Sequence, residues 1–221
     1  GHLTHGSPVN MSGKWFNPTH KANADDKEIK EDRVWSLAEA QAIAEVVKRL
    51  AMAEPAIAFS LRDTATDRMV FQVQAEQGDI FSALRGRLGQ IMGRDFVDNA
   101  IAVDAEREGV SLTGFAGLPT YSRGAAVAQY LFVNGRPVKD RLLIGAVRGA
   151  YADMLARDRH AVLALFLELP AEDVDVNVHP TKLEVRFQDG GRIYSQLLGA
   201  LRQKFLTTDL TARVRSGGQP I

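Results

Sequence analysis

The sequence contains no cysteine among its 221 residues. This absence excludes disulfides, thiolate nucleophiles and cysteine-ligated zinc, and it is typical of proteins in a reducing compartment. The five histidines are scattered, with no spacing that indicates a metal site. No signal-peptide pattern is visible, and no apolar run approaches the roughly 20 residues that a membrane-spanning helix needs. The sequence therefore predicts an intracellular, cytoplasmic protein with no membrane partner and no metal.

A net charge is also absent, because 27 Lys and Arg residues balance 27 Asp and Glu residues. No overall field attracts nucleic acid, so any contact with DNA has to come from a local basic patch. With 45% hydrophobic and 24% charged residues, the chain can bury a substantial core. Its length lies within the range of a single domain once the polar ends are set aside.

The two ends differ in composition from the middle of the chain. Residues 1–33 show little periodicity and begin with Gly-His and Gly-Ser-Pro, so we interpret them as derived from cloning or disordered. Residues 207–221 contain Ser-Gly-Gly-Gln-Pro and are typical of the start of a flexible linker. The folded domain is therefore expected over residues 34–206.

Hairpins alternate with amphipathic helices along this domain, which predicts an α/β (α+β) two-layer sandwich. Asp79 and Asp140 are expected to begin helices as N-caps. Asn134-Gly135 is the dipeptide most typical of a two-residue hairpin turn. The first helix is expected to bury the stripe Ala40, Ile43, Val47 and Leu50. Helices are predicted over 36–53, 79–93, 140–156 and 192–205, strands over 57–61, 69–73, 100–103, 110–115, 129–133, 136–138 and 162–167, and a mobile loop over 118–126.

The most informative stretch is DVDVNVHPTKLEVRF, from Asp173 to Phe187. Its valines alternate with polar residues, as in a strand with one buried face. Pro180 has no amide hydrogen and restrains His179, so it ends the strand in a stiff turn. Lys182 then shares the outward parity of the strand that follows. A lysine in such a position is usually only solvated.

A second stretch, QYLFVNGRPVKDRL from Gln129 to Leu143, accompanies the first. Together the two stretches resemble the signatures of the MutL family of DNA mismatch repair proteins. The resemblance covers the second, transducer domain of the family's N-terminal region, and not its ATP-binding domain. It implies the ribosomal-protein-S-five domain-two-like fold, including a left-handed βαβ crossover, which is rare among proteins in general.

The resemblance also implies a role for the turn. In the family, the lysine of the His-Pro-x-Lys motif contacts the γ-phosphate of ATP in the neighbouring ATP-binding domain. Lys182 is carried over to that role, with His179, Pro180 and Asn177 as positioning residues. The glutamate, asparagine and glycine-rich motifs of this GHKL class of ATPase are not found in the chain. The fragment is therefore expected to be no enzyme and to need no cofactor, whereas a full-length family member is a weak ATPase that uses ATP and Mg.

A basic stripe is predicted on the helix that follows the Asn-Gly hairpin. Arg141 and Arg148 are seven residues apart and share one helical face, and Arg136 and Lys139 approach from the hairpin. Cations so placed suit DNA phosphates and imply contacts that are independent of base sequence. No aromatic residue stands beside them in sequence, so stacking on bases is not predicted.

The resemblance implies further partners for a full-length protein: its own ATP-binding domain, the mismatch sensor MutS, DNA, and a second copy of itself in a homodimer. Two alternatives stay open. The chain could be the transducer domain of a gyrase-type topoisomerase, although that family places its lysine in a Gln-Thr-Lys loop where this chain has Pro-Thr-Lys. It could also be a free-standing nucleic-acid-binding module of the same fold, which would bind DNA tightly on its own.

Overall fold

The computed structural model describes residues 9–10, 37–175 and 183–208. Its elements, in chain order, are β1 (Val9–Asn10), α1 (Leu37–Ala53), β2 (Phe59–Asp63), β3 (Arg68–Val73), α2 (Ile80–Met92), α3 (Arg94–Asp98), β4 (Ala100–Arg107), β5 (Val110–Gly117), β6 (Ser122–Arg123), β7 (Gln129–Val133), β8 (Arg136–Val138), α4 (Arg141–Ala150), β9 (His160–Ala161), β10 (Leu163–Glu168), β11 (Val174–Asp175), β12 (Arg186–Phe187) and α5 (Gly190–Thr207). The predicted division into an N-terminal segment over 1–33, a domain over 34–206 and a linker from 207 stays a prediction.

A five-stranded sheet with the strand order β4-β5-β10-β7-β8 forms the centre of the molecule. Only β7 and β10 are parallel, and the other neighbours are antiparallel. β10 lies in the middle of the sheet and is buried almost throughout, as its continuous apolar run predicts. The chain passes from β7 to the parallel strand β10 through β8 and α4, and this connection corresponds to the βαβ crossover expected from the resemblance. Its left-handedness stays a prediction.

Helices α4 and α5 pack on one face of this sheet and build the larger hydrophobic core. Successive residues of a strand point to opposite faces, so Leu163, Leu165 and Leu167 of β10 enter this core together with Leu143 of α4 and Leu197 of α5. This arrangement confirms the predicted α/β sandwich. The opposite face of the sheet is also covered, because α2, α3 and the end of α1 form a second core there.

A smaller sheet, β1-β2-β3, lies apart from the main one. In the turn of its β2-β3 hairpin, the Asp63 side chain accepts hydrogen bonds from Thr66 Oγ1 at 2.7 Å and from Ala65 N at 2.9 Å. These bonds hold the pKa of Asp63 below its usual value. The hairpin is tied to the main fold through α2, because Arg87 of α2 donates hydrogen bonds to Ile57 O at 2.5 Å and to Gln74 O at 2.9 Å, on either side of the hairpin.

Helix α4 ends at Ala150, six residues before the predicted end at 156. The next residue, Tyr151, is buried, and its hydroxyl donates a hydrogen bond of 2.6 Å to the Gly117 carbonyl at the end of β5. Turns follow and lead the chain to β9. β9 pairs with β6, so the segment over 118–126 is tied down at Ser122 and Arg123 and is not an unattached loop. Both differences arise from contacts between distant parts of the chain.

We expect Tyr151→Phe to lower the free energy of unfolding by about 1 to 2 kcal/mol, because the buried Gly117 carbonyl would lose its donor. Burial raises the pKa of Tyr151, so the hydroxyl stays a donor at neutral pH. Urea unfolding measures the change. Tyr194→Phe is the control, because the Tyr194 side chain is partly exposed. Removing its hydroxyl should change the free energy of unfolding by no more than about 0.5 kcal/mol. Equal effects of the two substitutions would contradict the prediction.

Candidate nucleic-acid interface

The β7-β8 hairpin is held rigidly by its turn. Asn134 and Gly135 have φ values of 48° and 74°, as the predicted two-residue turn requires. The Asn134 side chain donates to Leu169 O at 3.0 Å and accepts from Leu169 N at 2.9 Å. Its backbone N donates to Leu167 O at 2.8 Å. The hairpin is thus fastened to the end of β10, which fixes the position of Arg136 just after the turn.

Asp140 joins this hairpin to α4 as the predicted N-cap. Its carboxylate accepts hydrogen bonds from Leu142 N at 2.9 Å and Leu143 N at 3.1 Å. The buried side of α4 consists of Leu143, Ala146, Val147 and Ala150. Arg141 and Arg148 are exposed on the other side, with Ile144 between them. The structure therefore places both arginines on one solvent-facing side of the helix.

All four predicted DNA contacts are exposed: Arg136, Lys139, Arg141 and Arg148. Within the ranges that the structure describes, none of the four forms a salt bridge. Arg141 is the first residue of α4, where the helix dipole disfavours a positive charge. Because Arg141 lies at this helix end and forms no salt bridge within the described ranges, its guanidinium is available to bind an anion from another molecule.

The spacing of the two helical arginines suits a DNA backbone. Seven residues of α-helix advance about 10 Å along the axis, which corresponds to about three steps of 3.4 Å along one DNA strand. The α4 arginines could therefore contact different phosphates of the same strand. Arg136 and Lys139 add charge at the start of the helix.

Tyr194 of α5 is a neighbour of this stripe that sequence reasoning missed. Gly145 and Gly149 of α4 make room for it: a Cβ placed on Gly149 would lie 3.0 Å from the Tyr194 hydroxyl oxygen, and one on Gly145 would lie 3.7 Å from its ring. The tyrosine is 36% exposed. Tyr194 thus lies against the glycines of α4, and the expectation that bases are not stacked beside the arginines stays a prediction. The sequence signal for this contact was weak, because Tyr194 lies 45 positions after Gly149 and four strands, β9 to β12, come between them.

The predicted strand-turn-strand around the His-Pro-Thr-Lys turn is present at its two ends. β11 and β12 pair antiparallel, with Val174 opposite Phe187 and Asp175 opposite Arg186. The ribbon is fastened to α5 by a salt bridge of 2.6 Å between Asp173 and Arg192. The residues predicted for nucleotide sensing, namely Lys182, His179, Pro180 and Asn177, lie outside the described residues, so their positions and roles stay predictions.

One backbone contact links this ribbon to the basic stripe. Lys139 N donates a hydrogen bond of 2.6 Å to the carbonyl of Leu183. Leu183 directly follows Lys182 in the chain, and Lys139 lies two residues before the start of α4. The exit of the predicted sensing turn is thus hydrogen-bonded to the entry of the helix that carries the arginines.

Other kinds of site find no support in the part of the chain that the structure describes. There, no group of three or more His, Asp or Glu side chains is placed to hold a metal ion. Likewise, no helix among the described residues is long and apolar enough to cross a membrane. The basic stripe and the adjoining ribbon are therefore the features on which a function can be argued.

Comparison with known proteins gives consistent matches. Residues 88–206 match the family described as "DNA mismatch repair protein, C-terminal domain". The chain is 61% identical over 159 residues to the DNA mismatch repair protein MutL of Paramagnetospirillum magneticum, covering 72% of this chain and 26% of that protein. It is 60% identical over 158 residues to MutL of Rhodospirillum rubrum, covering 72% and 25%. The chain thus spans about a quarter of the length of these relatives.

A solved structure supports the fold. The crystal structure of the "N terminal domain of a DNA repair protein" aligns with a TM-score of 0.63 and 18% sequence identity, covering 76% of this chain and 54% of that one. Identity this low makes the likeness one of fold.

Proposed function

This chain belongs to the MutL family of DNA mismatch repair proteins, and we propose that it is the transducer domain of such a protein. In this role it relays the state of a nucleotide, held in a separate ATP-binding domain, to a surface that binds DNA. The observation that carries the proposal is the hydrogen bond between Lys139 N and Leu183 O. It joins Leu183, the residue that follows Lys182 in the sequence, to the start of the arginine-bearing helix.

The nucleotide side of the proposal rests on Lys182. An ammonium group forms a charge-assisted hydrogen bond with a terminal phosphate, and that bond is lost when the phosphate leaves after hydrolysis. Asn177, His179 and Pro180 would hold the turn in place. ATP and Mg would bind to the ATP-binding domain of the longer protein, and this chain alone would not hydrolyse ATP.

The DNA side rests on Arg136, Lys139, Arg141 and Arg148, which are exposed and form no salt bridge within the described ranges. Contacts to phosphates neutralise charge without reading bases, which suits a repair protein that acts wherever a mismatch occurs. Tyr194 could add a stacking surface for an unpaired base at the edge of the stripe.

The larger assembly belongs to the same proposal. If Lys182 contacts ATP in another domain, the ATP-binding domain has to lie beside this chain. Four cations are few for tight DNA binding, so two copies of the protein that close around DNA would supply more contacts. Within a bacterial cytoplasm, the homodimer would pass its nucleotide state on to MutS.

Two other readings can be told apart by experiment. A free-standing module would bind DNA with a dissociation constant below about 10⁻⁸ M at physiological salt, whereas the transducer would bind weakly until two copies close. A gyrase-type transducer is disfavoured by the Val-Asn-Gly-Arg hairpin and by the high identity to MutL proteins.

We expect Arg141→Glu to weaken DNA binding by about tenfold and to reduce the steepness of its salt dependence by about one unit, as expected when one phosphate contact is lost. The measurement is fluorescence anisotropy with a mixed-sequence duplex over a series of salt concentrations. Arg94→Glu makes the same change of charge at an exposed position on the first turn of α3, on the other side of the sheet.

Since both variants alter the net charge equally, a general loss of attraction would affect them alike. A selective effect of Arg141→Glu supports the proposed interface. If Arg141→Glu leaves the salt dependence of DNA binding unaltered, the stripe is an ordinary solvated surface and not a DNA-binding site.

A further inference from the structure

Asn134 and Gly135, at the tip of the β7-β8 hairpin, form a chemically labile pair. Of the six asparagines in the sequence, only Asn134 is followed by glycine. An asparagine side chain loses ammonia when the backbone nitrogen of the next residue attacks its Cγ atom. Glycine hinders this attack least, because it has no Cβ. The dipeptide that suits the hairpin turn is therefore also the one in this chain that is most prone to deamidation.

The pair is open to solvent. Asn134 and Gly135 are both exposed, and a Cβ placed on Gly135 would meet no heavy atom within 4 Å. Water and base can therefore reach the Gly135 nitrogen. Protection of this bond has to come from the way in which the Asn134 side chain is held.

The Asn134 side chain is held at both of its polar atoms. Its Oδ1 accepts a hydrogen bond of 2.9 Å from Leu169 N, and its Nδ2 donates one of 3.0 Å to Leu169 O. Leu169 belongs to the larger hydrophobic core, so this anchor is itself fixed. While both bonds last, Cγ cannot turn toward the Gly135 nitrogen. The attack therefore requires the side chain to leave Leu169 first.

We propose that Asn134 is a deamidation site that the folded hairpin protects, and that its conversion detaches the side chain at the turn from β10. In the first step, Gly135 N forms a bond to Cγ and gives up its proton, while the Cγ–Nδ2 bond breaks and Nδ2 leaves as ammonia. Water then opens the five-membered succinimide at one of its two carbonyl groups. The product is an aspartate or an isoaspartate, and water is the only other reactant.

The product cannot keep the contacts of the asparagine. A carboxylate accepts hydrogen bonds but donates none, so Leu169 N keeps its acceptor while Leu169 O loses its donor and faces a negative charge. A carbonyl that loses its donor in a partly buried place disfavours the folded arrangement. Isoaspartate also adds a carbon atom to the backbone of a two-residue turn. Because Arg136 follows this turn directly, deamidation loosens the segment that positions one cation of the basic stripe.

The first test compares the folded chain with the same chain unfolded in urea, both kept at mildly alkaline pH. Trypsin releases residues 124–139 as one peptide, because Pro137 protects the bond after Arg136, and mass spectrometry measures the conversion of amide to acid. We expect Asn134 to convert at least about tenfold more slowly in the folded chain, since the reaction there is confined to local opening. Equal rates in the two states would overturn the proposal.

Asn99 is the internal control in the same samples. Its side chain also donates a hydrogen bond, to Asp95 O at 2.8 Å, but Ala100 follows it. In urea, where neither side chain is held, Asn99 should convert at least about tenfold more slowly than Asn134, because the Cβ of the alanine hinders the attack. If Asn99 converts as fast as Asn134, the glycine gives no special lability and the proposal is wrong.

Hydrogen exchange tests the consequence. In Asn134→Asp, the backbone amide at position 134, which donates to Leu167 O at 2.8 Å, should exchange at least about tenfold faster than in the unaltered chain. Asn99→Asp makes the same change of amide to carboxylate at the end of α3 and should leave this exchange unchanged. The deamidated fraction of the aged folded chain gives the same comparison without a substitution. A hairpin amide that keeps its slow exchange in both deamidated forms would overturn the proposed detachment.

Discussion

Replacing Arg87 by methionine is expected to lower the free energy of unfolding by about 4 kcal/mol, the size usual for breaking a buried charged network. Arg87 is the largest fully buried side chain among the described residues. Its guanidinium donates to five backbone carbonyls: Ala51 O, Glu54 O at 3.1 Å, Pro55 O at 2.9 Å, Ile57 O at 2.5 Å and Gln74 O at 2.9 Å. Methionine fills much of the same space but donates no hydrogen bond, so all five carbonyls lose the contact with Arg87. Glu54 O, Pro55 O and Gln74 O keep one other donor each, namely Ile57 N, Glu76 N and Gln90 Nε2.

The acceptors explain why a buried cation is stable here. Ala51 belongs to the last turn of α1, whose carbonyls have no partner within the helix and carry the negative end of its dipole. That turn contains no basic residue of its own, so Arg87 of α2 supplies the charge from 36 residues away. Burial lowers the pKa of Arg87, and the carboxylate of Glu76 opposes that change. One side chain thus fastens α1 and the β2-β3 hairpin to the rest of the fold.

Urea unfolding of Arg87→Met and Arg85→Met separates this role from a general effect of losing an arginine. Arg85 lies on the same helix and donates to Val97 O at 2.8 Å, but its side chain is 47% exposed. Its replacement should cost less than about 1 kcal/mol. If the two variants lose similar stability, the five carbonyls do not depend on Arg87. Arg87→Lys should fall in between, because lysine keeps the charge but has fewer donors.

Features encoded by neighbouring residues were predictable from the sequence. Asp79 and Asp140 cap their helices through bonds to backbone amides two and three residues ahead. The stripe of α5, with Ile193, Leu197 and Leu201, is buried as its spacing of four residues predicts. Each of these features depends on residues within one helical turn of each other, so tertiary contacts had little influence on it.

Features set by distant residues were not predictable. Leu50 was expected in the buried stripe of α1 but is 39% exposed, while Ala51 and Met52 are buried in its place. The end of α1 meets α2, where Met52 shares a core with Leu84 and Leu88 and Ala51 O accepts a hydrogen bond from Arg87. No periodicity within α1 contains this information.

The basic stripe shows the same division. Seven-residue spacing correctly placed Arg141 and Arg148 on one exposed side of α4. The nearness of Tyr194 depends on the small side of α4 at Gly145 and Gly149, against which α5 packs. The link from Lys139 to Leu183 depends on where the β11-β12 ribbon docks. Both required the fold to be known.

In a protein that includes the ATP-binding domain, Lys182→Ala is expected to slow ATP hydrolysis by about a hundredfold, the usual loss when one charged or polar donor to a transition state is removed. The ammonium would stabilise charge on the terminal phosphate, so the effect should appear in kcat more than in KM. Lys182→Arg should keep part of the activity, because it retains the charge at a different reach.

Lys139→Ala is the matched control, since it removes an exposed lysine next to the exit of the same turn but on the DNA side. Its backbone bond to Leu183 does not use the side chain, so hydrolysis should stay within about twofold of the unaltered protein, while DNA binding weakens. The two lysines would then affect different functions of one connected element. Turnover that Lys182→Ala leaves unchanged, in a variant whose unfolding by urea is also unchanged, would remove Lys182 from the active centre. Nucleotide-dependent association between this chain and a separately added ATP-binding domain would have to be explained by other residues in that case.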